Sequence, residues 1–205
     1  MPTHLVLDIG NVLSEWSPGP LVAAAFTDPD ERERAMRATI AHPDWLALDR
    51  GTLSVPEAAG RAARRSGLDP AKILQVYTGT PASLVAIEDT HAAVRELHRR
   101  GIPMLVLSNM QHECWRWLQD NHSTYALFTG CVISAETGLI KPEPAIFHHL
   151  TERFGLSPDD CLFVDDMAPN IEAARAAGWQ AEQLVDRGRG GALLLELAGR
   201  LTRTG

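Results

Sequence analysis

The chain is predicted to be an α/β protein, an open parallel sheet with helices on both faces and a small helical cap inserted near its start. Three observations carry that prediction. Short aliphatic runs recur at Leu5-Val6-Leu7, Met104 to Leu107 and Cys161 to Val164, with none of the alternation that a solvent-facing sheet imposes. From about residue 86 such runs alternate with helical patterns, as they do in parallel sheets. Each run also ends in polar groups: Asp8 after the first, Ser108-Asn109 after the second, Asp165-Asp166 after the third.

Taken in order, the first strand runs up to Asp8, where a charge is costly unless something uses it. Residues 15–85 then read as helix after helix. Asp28-Pro29-Asp30 opens one that carries Glu31 to Ala41, with acids in its first turn. Ser54-Val55-Pro56-Glu57 has the capping-box spacing and launches Ala58 to Arg65; Gly67 stops that helix and Asp69-Pro70 starts the next. The expected division is therefore a core of residues 1–14 and 86–205 and a cap of residues 15–85. In the core, helix 90–100 precedes strand 103–107, and a tryptophan-rich helix of about 111–121 precedes strand 131–134. A helix from Pro142 to Phe154 leads to strand 161–164, then helix 168–177, a last strand near 180–185 and a terminal helix from about 191.

The 205 residues suit one domain with a modest insertion, and 45% hydrophobic residues can build a full core. No run approaches the roughly 20 apolar residues of a membrane span, and no charged-then-apolar leader pattern precedes Asp8. Cys114, Cys131 and Cys161 are odd in number and widely spaced, which points to neither a disulfide framework nor a zinc site and fits a reducing cytoplasm. A net charge of -7 disfavours nucleic acid as a partner. Oligomeric state is not legible.

Ligands of open parallel sheets bind in the crevice beyond the carboxyl ends of the strands. That crevice would gather the carboxylates of Asp8, Asp165 and Asp166, the Ser108 hydroxyl, the Asn109 amide and the ammonium of Lys141, which follows the turn at Gly138. Such a set suits a metal ion and a phosphate. Each piece also has an ordinary reading: Ser108-Asn109 as a helix N-cap, Lys141-Pro142 as a surface turn, Asp165-Asp166 as a cap with a neighbouring surface acid.

Together, Asp8-Ile9-Gly10-Asn11-Val12-Leu13, Ser108-Asn109, Lys141-Pro142 and Asp165-Asp166 with Asn170 resemble, in this order, the four motifs of the haloacid dehalogenase superfamily of hydrolases. The likeness spans essentially the whole chain and implies a Rossmann-like core under a helical cap. Within the superfamily the first motif is similar to that of bacterial α-D-glucose 1-phosphate phosphatases, which implies a phosphatase acting on a small phosphorylated metabolite such as a sugar phosphate. The resemblance makes Asp8 the nucleophile, forming an aspartyl-phosphate, and gives Lys141 a catalytic charge that also binds substrate. It gives Ser108 and Asn109 to phosphoryl binding. It implies a magnesium ion held by Asp8, the Gly10 carbonyl and Asp166, with Asp165 holding a metal-bound water and Asn170 orienting that layer.

One position departs from the superfamily pattern. Where most of its phosphatases carry a second aspartate as general acid and base, this chain has Gly10. A general acid is worth about 10²–10⁴ in rate, so its loss weakens a phosphatase without abolishing one. Two alternatives follow: a 2-haloacid dehalogenase, against which Asp165 and Asp166 argue because a carboxylate substrate would be repelled, and a weakly active protein that binds a phosphorylated ligand. In the insertion, His42, Asp44, Trp45, Asp49 and Arg50 are placed to face the site on cap closure and carry no assignment. Trp45 and Leu46 are expected in the cap core, His148 and His149 on a surface or packing face, and only one of Trp115 and Trp117 in the core.

Overall fold

The computed structural model describes residues 1–201. Five strands form one parallel sheet: β1 (His4–Leu7), β2 (Met104–Ser108), β3 (Gly130–Ile133), β4 (Cys161–Asp165) and β5 (Gln180–Gln183), in spatial order β3-β2-β1-β4-β5. The chain builds outward from β1 on one side through β2 and β3, then crosses back to β4 and β5. The strand order thus reverses beside β1, where a crevice opens between connections that leave in opposite directions.

Alternate residues of these strands feed two separate cores, the signature of strands covered on both faces. Leu5, Leu7, Val106, Ile133 and Val164 pack with the helices Glu88–Arg99, His112–Asn121 and Gly190–Ala198. Val6, Leu105, Leu107, Val132 and Phe163 pack with Pro144–Phe154 and Ala168–Ala176. The Rossmann-like expectation is met.

A third core belongs to the insertion alone. Helices Pro18–Ala25, Pro29–Ala38, Pro43–Asp49, Val55–Ser66 and Pro70–Gly79 bury Phe26, Leu48, Ile73, Val76, Tyr77 and a run of small residues, Ala58, Ala59, Ala62 and Ala63. Local signals open three of these helices, and close one, where the sequence indicated. Asp28 accepts from the Glu31 N–H at 2.9 Å, Asp69 accepts from the Ala71 N–H at 2.8 Å, the Glu57 carboxylate takes both the N–H and the hydroxyl of Ser54, and Gly67 closes its helix at φ 66°. A two-residue antiparallel ribbon, Ser14–Glu15 with Val85–Ala86, joins the exit from the sheet to the return.

Several boundaries differ from expectation. The helix after Lys141 begins at Pro144 rather than Pro142, because a turn closed by the Glu143 N–H on Ile140 O (2.9 Å) intervenes. The second helix of the insertion ends at Ala38 rather than Ala41, where the Thr39 hydroxyl turns back onto Ala35 O. Leu46 is 49% exposed rather than in the cap core. Trp115 is buried and Trp117 only half so, and His148 is exposed, as anticipated. Among the described residues, no helix is long and apolar enough to cross a membrane.

Candidate active site

The three strand ends converge. Asp8 follows β1, Ser108 ends β2 and Asp165 ends β4, the strands on either side of β1. Seven of the eight residues singled out by sequence line one cavity of about 200 Å³ there: Asp8, Gly10, Ser108, Asn109, Lys141, Asp166 and Asn170. The eighth, Asp165, is fully buried among them.

Lys141, 3% exposed, organises the floor. Its Nζ lies 2.8 Å from Asp8 Oδ1 and 2.6 Å from Asp165 Oδ2. Burial pulls its pKa down, but the two carboxylates outweigh that and hold the ammonium charged. Its backbone is gripped by Asn109, whose Oδ1 accepts from the Lys141 N–H at 2.8 Å while its Nδ2 donates to the Lys141 carbonyl at 2.9 Å. Both ends of the Asn109 carboxamide are thereby committed to placing Lys141.

Asp165 is saturated by protein donors. The Met167 N–H reaches Oδ1 at 2.8 Å, Lys141 reaches Oδ2, and the Asn170 amide lies 3.0 Å from each oxygen. Asp166 is half-buried and accepts from Asn11 Nδ2 at 2.8 Å. Burial pushes the Asp166 carboxyl up and Asn11 opposes it. Burial also lifts Asp8, to about 6, with Asp165 adding to the shift and Lys141 and the Ser108 hydroxyl opposing it.

Asp8, Asp165 and Asp166 can each offer one oxygen such that all three lie within 4.8 Å of one another. Three carboxylates facing one ammonium leave two negative charges, which a divalent cation would balance, and hard oxygen donors are what magnesium selects. The donor set therefore fits the implied ion.

Sequence reasoning left two contributors unassigned. Asn11 sits in the left-handed region at φ 55°, where asparagine is among the few tolerant residues, and besides holding Asp166 it accepts from the Trp16 N–H at 3.0 Å. Its place in a sharp turn after a strand was the available signal. Gln111 is buried and lines the cavity with Asp49, whose charged form it favours, which nothing in the sequence indicated.

From the insertion, Asp49 and Trp45 line the cavity, with Trp45 stacked between Trp16 (5.5 Å) and Tyr77 (5.9 Å). Asp44 does not line it; Arg65 Nη2 holds it at 2.5 Å inside the insertion, and His42 caps that helix by accepting from the Asp44 N–H. The segment at Asp49 is tied to the connection that follows β3: the Ser134 hydroxyl donates to Asp49 O, and Arg50 donates to Gly138 O at 3.0 Å and pairs with Glu143.

The profile of the haloacid dehalogenase-like hydrolases matches residues 6–178, most of the chain. The chain belongs to that family. A sesquiterpene phosphatase, astK of Aspergillus oryzae, is 24% identical over 88% of this chain and 89% of its own length. Among solved structures, a haloacid dehalogenase family enzyme of Bacteroides thetaiotaomicron in complex with magnesium and inorganic phosphate superposes with a TM-score of 0.69 at 21% identity, covering 89% of this chain and 94% of the other. The L-2-haloacid dehalogenase of Xanthobacter autotrophicus superposes with a TM-score of 0.66 at 20% identity, covering 90% and 78%. At such identities these likenesses establish a common fold, and that fold serves both kinds of hydrolase. What distinguishes this haloacid dehalogenase-like hydrolase lies in its own residues.

Proposed function

We propose that this hydrolase is a magnesium-dependent phosphatase, acting in the cytoplasm on a small phosphorylated metabolite, sugar phosphates among the candidates. The carrying observation is the cluster of Asp8, Asp165 and Asp166 within 4.8 Å against the ammonium of Lys141, the one cation lining the cavity among the described residues. A dehalogenase displaces halide from carbon beside a substrate carboxylate, for which an acidic cluster is repulsive. A phosphatase needs that same cluster to hold the cation that its substrate's charge demands.

In this reading Asp8 attacks phosphorus and carries the phosphoryl group as an aspartyl-phosphate, which water then hydrolyses. Lys141 neutralises charge on Asp8 and on the phosphoryl oxygens. Ser108, at the end of β2, donates its hydroxyl to the same group, and Asn109 keeps Lys141 in place. Asp8, Asp166 and the Gly10 carbonyl would hold magnesium, with Asp165 and Asn170 forming the layer behind. Bound there, the ion supplies Lewis-acid neutralisation of phosphoryl charge. Residues 15–85 act as a cap over a core of residues 1–14 and 86–205, and bring Trp45 and Asp49 to the substrate.

A panel of phosphorylated metabolites assayed with magnesium, beside 2-chloro acids assayed with a chelator, tests the reading. Phosphate release from some members of the first set supports it. Chloride release from the second, unaffected by chelation, would replace it with the dehalogenase.

A further inference from the structure

We infer that Asp49, on the insertion, is the general acid and base of this enzyme and stands in for the aspartate missing at Gly10; the inference rests on the phosphatase reading. Around the cavity, that reading already uses Asp8, Asp166 and Lys141 as nucleophile, metal ligand and cation. The remaining protic groups there are Asp49, Cys114 and the hydroxyls of Ser108 and Thr80. Burial pushes the Cys114 thiol up to about 12, and an alcohol is a weaker acid still, so neither exchanges protons readily near neutrality. Asp44, the neighbouring cap acid, is paired with Arg65 away from the cavity.

Placement favours Asp49 on three further counts. A Cβ at Gly10 would meet Asp8 Oδ2 at 3.9 Å, an ordinary contact, so no neighbour blocks the start of a side chain there and the position of the missing aspartate is left to hydrogen. The Asp49 backbone is clamped by Ser134, Arg50 is drawn off to Glu143, and Gly51 (φ 74°) lies so close to Ala135 O that a Cβ would meet it at 2.4 Å, which fixes the segment against the short helix Ser134–Thr137. Finally, burial lifts the Asp49 carboxyl to about 7, opposed only in part by Gln111. A group with that value can both give and take a proton near neutral pH. The charged groups sharing the cavity with it are Asp8, Asp166 and Lys141.

The step balances. As an Asp8 oxygen bonds to phosphorus, the P–O bond to the leaving group breaks with its electron pair on the leaving oxygen, and protonated Asp49 gives that oxygen its proton, releasing an alcohol. The Asp49 carboxylate then takes a proton from the water that attacks phosphorus. The bond from phosphorus to Asp8 breaks, its pair returns to Asp8, inorganic phosphate leaves and Asp49 is again protonated.

The test compares kcat/KM for 4-nitrophenyl phosphate and for a primary alkyl phosphate in wild type, Asp49→Asn and the double variant Asp49→Asn/Gly10→Asp, each with magnesium and each checked for a native thermal transition. Asp49→Asn should lose on the order of 10²–10⁴ in kcat/KM on the alkyl ester and far less on the aryl ester, whose leaving group departs without a proton. It should also show a burst of nitrophenol as dephosphorylation slows, and lose the fall in alkyl-ester kcat/KM that wild type shows above about pH 7. The double variant should regain alkyl activity. Equal losses on both esters with the pH limb retained would overturn the role of Asp49 and leave the phosphatase reading standing. A wild type that hydrolyses neither ester would overturn both.

Discussion

Lys141 Nζ stands 2.6 Å from Asp165 Oδ2, and both side chains are essentially sealed from solvent. Adjacent acids in the sequence therefore differ in setting: Asp165 is a buried counter-ion with both oxygens engaged, whereas Asp166 is half-buried and held from across the site by Asn11. Removing one partner of a buried pair costs roughly 3–5 kcal/mol, and Lys141 keeps Asp8, so Asp165→Ala should cost about 3 kcal/mol of stability. Asp166→Ala should change stability by less than about 1 kcal/mol while raising the magnesium requirement steeply or abolishing turnover. Thermal unfolding beside a magnesium titration of activity separates the two. Matching losses of stability would refute this division.

The pH dependence of stability should bear the mark of Asp49. Its carboxyl is lifted to about 7 in the folded protein from the ordinary aspartate value of 3.8. Between those values the native state binds the proton that the unfolded chain has released, so stability falls as pH rises through this window and levels off above it. Asp49→Asn removes the ionisation and should be more stable than wild type at pH 8 but not near pH 4. Melting curves across that range would show a gap that widens until about pH 7 and then stays constant; a gap independent of pH would mean that Asp49 is not lifted.

Gly51 should tolerate no side chain. Its φ of 74° and the 2.4 Å approach to Ala135 O combine left-handed backbone with a direct clash against main chain. Gly51→Ala should push the Asp49–Arg50 segment off the helix Ser134–Thr137, raising KM and lowering kcat together. The sheet's own cores, built from other residues, should still melt cooperatively. Wild-type kinetics in this variant would show that the segment's contact with Ala135 is dispensable.

The sheet was legible because strands covered on both faces must be apolar throughout, and few patterns other than Leu5-Val6-Leu7 or Cys161 to Val164 satisfy that. The floor of the site was legible because its polar residues stand where those strands end. The rest depended on tertiary proximity. Gln111 meets Asp49 only because the insertion folds back over the helix that starts at His112, and no spacing in either segment encodes it. Asp44 and Asp49 look alike in sequence, five residues apart; a helical turn and Arg65 separate their roles. Gly10 itself does not use the left-handed backbone that favours glycine; Asn11 is the residue with positive φ there. Asn109 has the composition of a substrate ligand, yet its amide is committed to the Lys141 backbone.

The account stands on covalent transfer of the phosphoryl group to Asp8, and trapping that species tests it most directly. Wild-type enzyme mixed with a turned-over phosphate ester and magnesium, quenched in acid within one turnover and mapped by peptide mass, should carry phosphate on Asp8. Asp8→Asn should fold normally, carry none and release no phosphate. Phosphate release from wild type with Asp8 never modified, or undiminished in Asp8→Asn, would contradict the account.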